Sequence, residues 1–258
     1  MLSYQHLYHA GNLADVHKHA LLAWVLDYLT AKDKPLTYIE SHAGRGLYDL
    51  SAPEAVKTGE AAQGIGRLEA QIDPEHPYRR ILERVRLARG ADAYPGSPMI
   101  AALSLRDSDS VHLAEAHPQE NAALAQAMAE LPVRVHKADG FAKIQELTPP
   151  MPRRGLLLVD PSYETAEDYD RMPKFFAQVA RKWNVGILML WYPILTDARH
   201  RAMVASLVTG HPGALCHEVR FPPARDGHRM VGSGMFVINP PWGMAEEAAR
   251  LGRLFDPL

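Results

Sequence analysis

The run Asp160-Pro161-Ser162-Tyr163 follows four apolar residues, Leu156-Leu157-Leu158-Val159. It places a carboxylate just past a strand that reads as fully buried. An amine conjugated to an aromatic ring is a poor nucleophile, because its lone pair is delocalised into the ring. A site that alkylates such an amine should accept hydrogen bonds from both N–H groups, favouring the pyramidal nitrogen as positive charge develops. The Asp160 carboxylate and the proline-fixed carbonyl of Pro161 can do this. The Tyr163 ring can stack on a base taken out of its helix. A plain strand-to-loop turn is the alternative, since Asp-Pro is common there.

Three further strand ends carry polar residues. Gly44-Arg45-Gly46, with His42 before it, follows the strand that ends at Glu40. A short Gly-x-Gly loop lets a ligand approach the backbone closely, although many such loops are only turns. Glu115 closes the next strand and can accept from both hydroxyls of a ribose; otherwise it is an acid favoured near a helix N-terminus. Asp139-Gly140 closes another, where Asp139 can accept from an adenine amine or form an Asx turn. Tyr4, His6, His9, Asn12, Asp15, His17, Lys18 and His19 crowd the N-terminal stretch. A metal is disfavoured there, because His17 and His19 do not share a helix face and recognisable ligand spacing is lacking. An aromatic and basic segment lying over a nucleotide is expected instead, with a polar cap on the first helix as the plainer reading.

The elements that must position these groups alternate. Helical spacing marks Asp15 to Leu29, and Leu36 to Glu40 reads as a strand. Leu50 to Tyr94 is helical and polar, an insertion on the sheet edge that Pro95-Gly96-Ser97-Pro98 ends before a helix from Met99. Strands are expected at Ser110–Ala114, Val133–Lys137, Gly155–Val159, Val185–Trp191, Leu215–Arg220 and Gly234–Ile238. Helices are expected at Gln119–Leu131, Phe141–Leu147, Met172–Lys182 and Ala198–Val208. This alternation predicts an α/β fold, a mostly parallel sheet with helices on both faces, whose last two strands could form an antiparallel hairpin. Residues 1–49 and 95–258 would form the main domain and 50–94 a small helical insertion. In such a sheet, ligands sit beyond the carboxyl ends of the strands.

Composition bounds the rest. With 258 residues and 47% hydrophobic content, the chain can bury a proper core. A net charge of −2 excludes a globally basic nucleic-acid binder, so any RNA contact must come from a local basic patch. Cys216 is the sole cysteine, which rules out an internal disulfide. Neither a signal peptide nor a membrane span is evident, and a cytoplasmic location is expected.

Several blocks together resemble the RlmJ-type 23S ribosomal RNA adenine-N6 methyltransferases. They include Tyr4, His9-Ala10-Gly11-Asn12, Asp15-Val16, Lys18-His19, His42-Ala43-Gly44, Thr58-Gly59-Glu60, Tyr94-Pro95-Gly96-Ser97-Pro98 and Glu115 with His117-Pro118. Later ones are Asp139-Gly140, Arg153-Arg154-Gly155, Trp191-Tyr192-Pro193, Ser233-Gly234-Met235 and Asn239-Pro240-Pro241-Trp242. The resemblance spans nearly the whole chain. It implies a Rossmann-like class I methyltransferase fold with a small helical insertion, S-adenosyl-L-methionine as methyl donor, and an adenine of 23S ribosomal RNA as acceptor. By position, His19, His42, Ser97, Glu115, Asp139 and Gly140 would contact the donor. Asp160 would hold the target amine and Tyr4 would contact the RNA, with His6 and Lys18 as further RNA-side candidates. Ser162 departs from the family's Asp-Pro-Pro-Tyr, so the Pro161 carbonyl and the Tyr163 ring should be held less rigidly; activity should be kept. In-line transfer without a metal, by a monomer with no obligate protein partner, is the expectation. The rivals are a DNA adenine-N6 methyltransferase and a non-catalytic RNA-binding protein on the same fold. A nicotinamide oxidoreductase is disfavoured because Gly-x-Gly-x-x-Gly is absent.

Overall fold

The computed structural model describes residues 5–225 and 227–258. Tyr4, expected at the RNA, lies outside the described residues. A single turn, His6–Tyr8, leads into α1 (Leu13–Thr30). Asn12 starts this helix two residues before the expected Asp15, because its side chain accepts from the Asp15 backbone N–H at 2.8 Å. Most of α1 is buried, including His17, Lys18 and His19. A helix enclosed on nearly every side can carry charged residues only if the fold supplies partners for them.

The chain then runs β1 (Thr37–Glu40), β2 (Leu47–Asp49), α2 (Pro53–Thr58), α3 (Glu60–Gln63), α4 (Ile65–Leu68), α5 (Pro77–Arg89), β3 (Ala93–Pro95) and α6 (Ser97–Ser104). Next come β4 (Ser110–Ala114), α7 (Pro118–Ala127), β5 (Arg134–His136), α8 (Gly140–Leu147), β6 (Gly155–Val159) and α9 (Ala166–Lys182). The chain closes with β7 (Ile187–Leu195), α10 (His200–Gly210), β8 (Leu215–Arg220), β9 (Met230–Ile238) and α11 (Met244–Gly252). Seven strands form one sheet in the order β5-β4-β1-β6-β7-β9-β8. The first five are parallel, and β9 runs antiparallel to both β7 and β8. The mostly parallel sheet and the antiparallel closing pair are as expected.

Both faces of the sheet are covered. In β6, Leu156 and Leu158 enter the core shared with α1, whereas Leu157 and Val159 enter a second core with Phe176 and Met172 of α9. This period-two division explains why the strand is apolar at every position. Ile65, Leu68, Tyr78 and Leu82, from the helices between β2 and β3, bury themselves in the same core as α1.

Several boundaries differ from the sequence reading. β2 and β3 pair antiparallel as a small separate ribbon, which the residue pattern does not predict. α9 begins at Ala166 instead of Met172, because Thr165 and Asp168 form a capping box. β7 runs on to Leu195 and β9 begins at Met230, since the two strands continue to pair past Trp191, with a register shift at Ile194/Leu195. α7 stops at Ala127, four residues short of the expected Leu131.

From β1 the chain moves outward through β4 to β5, then returns to the other side of β1 for β6. The order reverses there, so the helical connections diverge and leave a crevice beyond the strands' carboxyl ends.

Candidate active site

A cavity of about 400 Å³ fills that crevice. Of the residues proposed from sequence, all those described line it: His6, Lys18, His19, His42, Gly44, Ser97, Glu115, Asp139, Gly140, Asp160, Pro161 and Tyr163.

One end is built on the loop after β1. Gly44 and Gly46 have φ of +61° and +75°, conformations that suit glycine. The Gly44 N–H donates to Glu115 Oε2 at 2.8 Å, and the His117 N–H donates to Oε1 at 2.7 Å. Burial pushes the Glu115 carboxyl up, an effect that these two donors oppose. Each carboxylate oxygen keeps a lone pair for a hydroxyl in the cavity. Asp139 caps α8 through Oδ1, which accepts from Ala142 N–H at 2.8 Å. Its capping role and a ligand role are compatible, because Oδ2 is not used by the cap. Gly140 allows α8 to approach closely, since a Cβ there would stand 1.9 Å from the Ser41 carbonyl oxygen.

Ser97 and His19 stand behind this end. Ser97 Oγ donates to Glu40 Oε1 at 2.5 Å, and Tyr38 Oη donates to Glu40 Oε2 at 2.9 Å. Glu40 is fully buried, and burial pushes its carboxyl up to about 8 against these hydrogen bonds. It therefore holds its proton near neutrality and braces the loop without lining the cavity. His19 Nδ1 meets Tyr94 Oη at 3.0 Å, while its buried Nε2 has no hydrogen-bond partner. Burial pushes the His19 imidazole down to about 3, so the ring is neutral. His42 packs edge-on against Phe141 at 5.0 Å, and burial lowers its imidazole too.

The other end is built on the Asp160 loop and α1. Lys18 Nζ donates to Asp160 Oδ2 at 2.6 Å and lies 3.2 Å from Asp15 Oδ1. Burial alone would lower the Lys18 ammonium, but Asp160 and Asp15 outweigh it and hold it above the ordinary lysine range. Asp15 also accepts from Gly11 N–H and from His6 Nε2, each at 2.9 Å. Burial raises the Asp15 carboxyl, yet His6 and Lys18 prevail and keep it well below the usual range. Two carboxylates thus share one ammonium at this end, and the His6 ring pairs with Asp15 as well. Lys18, expected on the RNA side, has its ammonium buried in this network.

Tyr163 adopts φ +52°, a left-handed conformation uncommon for a bulky residue and found chiefly at functional sites. Its hydroxyl donates to the Trp191 carbonyl at 3.0 Å, and its ring packs against Tyr169 at 4.6 Å. The ring is therefore braced from behind and opens to the cavity only in part. Trp191 lies under Lys18, 5.5 Å from Nζ to ring centre, and donates through Nε1 to Ser233 Oγ at 2.9 Å. His17 joins Ser233 and His217 and does not reach the cavity.

Sequence reasoning gave no role to Asp15 or Trp191. The spacing of Asp15, Lys18 and His19 at i, i+3 and i+4 on one helix was the available signal for the first. For Trp191 the signal was its place near the carboxyl end of the strand that follows β6.

Comparison with known proteins bears on this arrangement. Residues 33–256 match the family model described as Ribosomal RNA large subunit methyltransferase D, RlmJ. The chain is 39% identical over 252 residues to Ribosomal RNA large subunit methyltransferase J of Escherichia coli (strain K12), covering 96% of this chain and 90% of that protein. It is 40% identical over 248 residues to the protein of the same name from Haemophilus influenzae (strain ATCC 51907 / DSM 11121 / KW20 / Rd), covering 94% and 88%. The crystal structure of protein LPL1258 from Legionella pneumophila str. Philadelphia 1 superposes with a TM-score of 0.85 at 34% identity, covering 96% of this chain and 95% of that one. The observed sheet, five parallel strands followed by an antiparallel pair, with helices on both faces, is the α/β arrangement expected from the sequence. The chain belongs to the RlmJ family of ribosomal RNA large subunit methyltransferases.

Proposed function

We propose that this chain transfers a methyl group from S-adenosyl-L-methionine to the N6 amine of an adenine in 23S ribosomal RNA. The observation that carries the reading is the buried Asp15–Lys18–Asp160 network facing the glycine loop across one cavity.

The residues at the loop end suit the donor. Glu115 matches a ribose diol, Asp139 an adenine amine, and the orphaned Nε2 of neutral His19 a polar group brought in by a ligand. Gly44 and Gly140 leave the backbone open to close approach. His42 and Ser97 complete this wall. When bound, the donor supplies an electrophilic methyl on a sulfonium.

At the other end, Asp160 accepts one N–H of the target amine and the Pro161 carbonyl accepts the second. Lys18 holds the Asp160 carboxylate in one orientation. The Asp160 carboxylate favours the positive charge that develops on the amine nitrogen. Tyr163 and Trp191 present aromatic surface to the base, and His6 lies where flanking RNA would pass. Positioning and electrostatics supply the rate, and the reaction requires no covalent intermediate on the protein. A monomer acting in the cytoplasm without an obligate protein partner completes this reading. No described helix is long and apolar enough to cross a membrane.

The test is transfer from labelled S-adenosyl-L-methionine to unmodified 23S ribosomal RNA, with a sequence-matched DNA strand as control and nucleoside analysis of the product. N6-methyladenosine in the RNA alone is expected. Label in the DNA alone would overturn the substrate, and label at another position of the base would overturn the role of Asp160.

A further inference from the structure

The rim of the cavity carries charges of both signs. At the start of α9, Glu167, Asp168 and Asp170 are accompanied by Arg171 and Lys174. Arg171 lies over the Phe141 ring, 3.8 Å from ring centre. Another part of the rim, adjoining Tyr169 of α9, is formed by the strand pair β7–β9. Leu195 and Met230 pair there, and both line the cavity. Immediately beyond them, the Thr196 N–H donates to the Arg229 carbonyl at 2.9 Å and continues the ladder. This brings Arg229 beside the turn that carries Asp197 and Arg199.

Both guanidiniums converge on one carboxylate oxygen. Arg199 Nε lies 2.7 Å from Asp197 Oδ2, and Arg229 Nη2 ion-pairs with the same atom. The two arginine side chains are 49% and 55% exposed, respectively. One carboxylate cannot neutralise two guanidiniums. Among the described residues, no other carboxylate lies within ion-pairing distance of either. Asp197 thus fixes two guanidiniums as a fork, with most of their donors facing solvent. A fork of this kind matches phosphate oxygens.

We infer that Arg199 and Arg229 form a phosphate-binding fork that grips the RNA backbone next to the target adenosine. The inference rests on the RNA-methyltransferase reading above. The strand enters over the β7–β9 edge of the cavity. This supplies the local basic patch that a chain of net charge −2 needs to hold a polyanion.

The experiment compares wild type with the Arg199→Gln/Arg229→Gln double variant in equilibrium binding to unmodified 23S ribosomal RNA over a potassium chloride series. Affinity for S-adenosyl-L-methionine is measured on the same preparations. The double variant should bind RNA about tenfold more weakly at low salt, and the slope of log affinity against log salt should flatten by ~0.7 for each phosphate that the fork no longer grips. Its KM for RNA should rise while kcat at saturating RNA and donor affinity stay within about twofold of wild type. Glu167→Gln/Asp170→Asn, at the start of α9, should bind RNA at least as well as wild type. Unchanged RNA affinity and salt slope in the arginine variant, with wild type binding and methylating RNA, would overturn the fork alone. Failure of wild type to bind RNA would overturn both the fork and the reading it rests on.

Discussion

Glu40 shows how one buried acid couples the loop after β1 to pH. Its carboxyl titrates at about 8 in the folded chain, against 4.5 for an exposed glutamate. Between these values the folded state holds a proton that the unfolded state has released. Stability from this group is therefore full below about 4.5 and is lost as pH rises through about 8. Glutamine is a neutral isostere that can still pair with Ser97 and Tyr38. The Glu40→Gln variant should have a flatter melting temperature profile between about pH 5 and pH 8, gaining most on wild type at the alkaline end. Melting curves that run parallel across that range would show that Glu40 is ionised in the fold. The Lys18–Asp160 pair belongs to the same scale but behaves differently: removing Asp160 leaves Lys18 paired with Asp15, whereas removing Lys18 leaves two carboxylates without their ammonium, and breaking a buried pair in that way typically costs about 3–5 kcal/mol.

Elements decide whether such residues meet. α8 lies against the Ser41 carbonyl only because residue 140 has no Cβ; an added Cβ would stand 1.9 Å from that oxygen. Backbone cannot yield as a flexible side chain does, so Gly140→Ala should lower the melting temperature and weaken donor binding together. Gly210, at the end of α10, meets nothing within 4 Å of such a Cβ. Gly210→Ala should leave both unchanged or raise the melting temperature slightly, since alanine is favoured over glycine in a helix by roughly 0.5–1 kcal/mol. Calorimetry and donor titration of the two variants check this; equal effects would remove the close-packing account of Gly140. The elements differ in how far the sequence revealed them. β6 is plain because four apolar residues in a row suit a strand covered on both faces. The β2–β3 ribbon was hidden, because two three-residue strands separated by helices carry no alternation long enough to read. The acids at strand ends were legible from order alone. The partner of Lys18 was not, because Asp160 is 142 positions away and only the sheet topology brings them together.

At the scale of the whole molecule, the reversal of strand order beside β1 does the assembling. It draws the Gly44 loop, Glu115, Asp139 and Asp160 from four neighbouring strand ends, and α1 crosses behind them to contribute Lys18 and His19. One end of the cavity is suited to a donor and the other to an amine. The two functions should therefore separate by mutation. Asp160→Ala removes the acceptor carboxylate and leaves the donor end unaltered. The most direct test measures, in one preparation of this variant, the affinity for S-adenosyl-L-methionine and single-turnover methyl transfer to 23S ribosomal RNA. The account predicts donor affinity near that of wild type and transfer reduced by about a thousandfold or more, the scale of removing a preorganised electrostatic group. Transfer at the wild-type rate with donor bound would contradict it and move the chemistry away from Asp160.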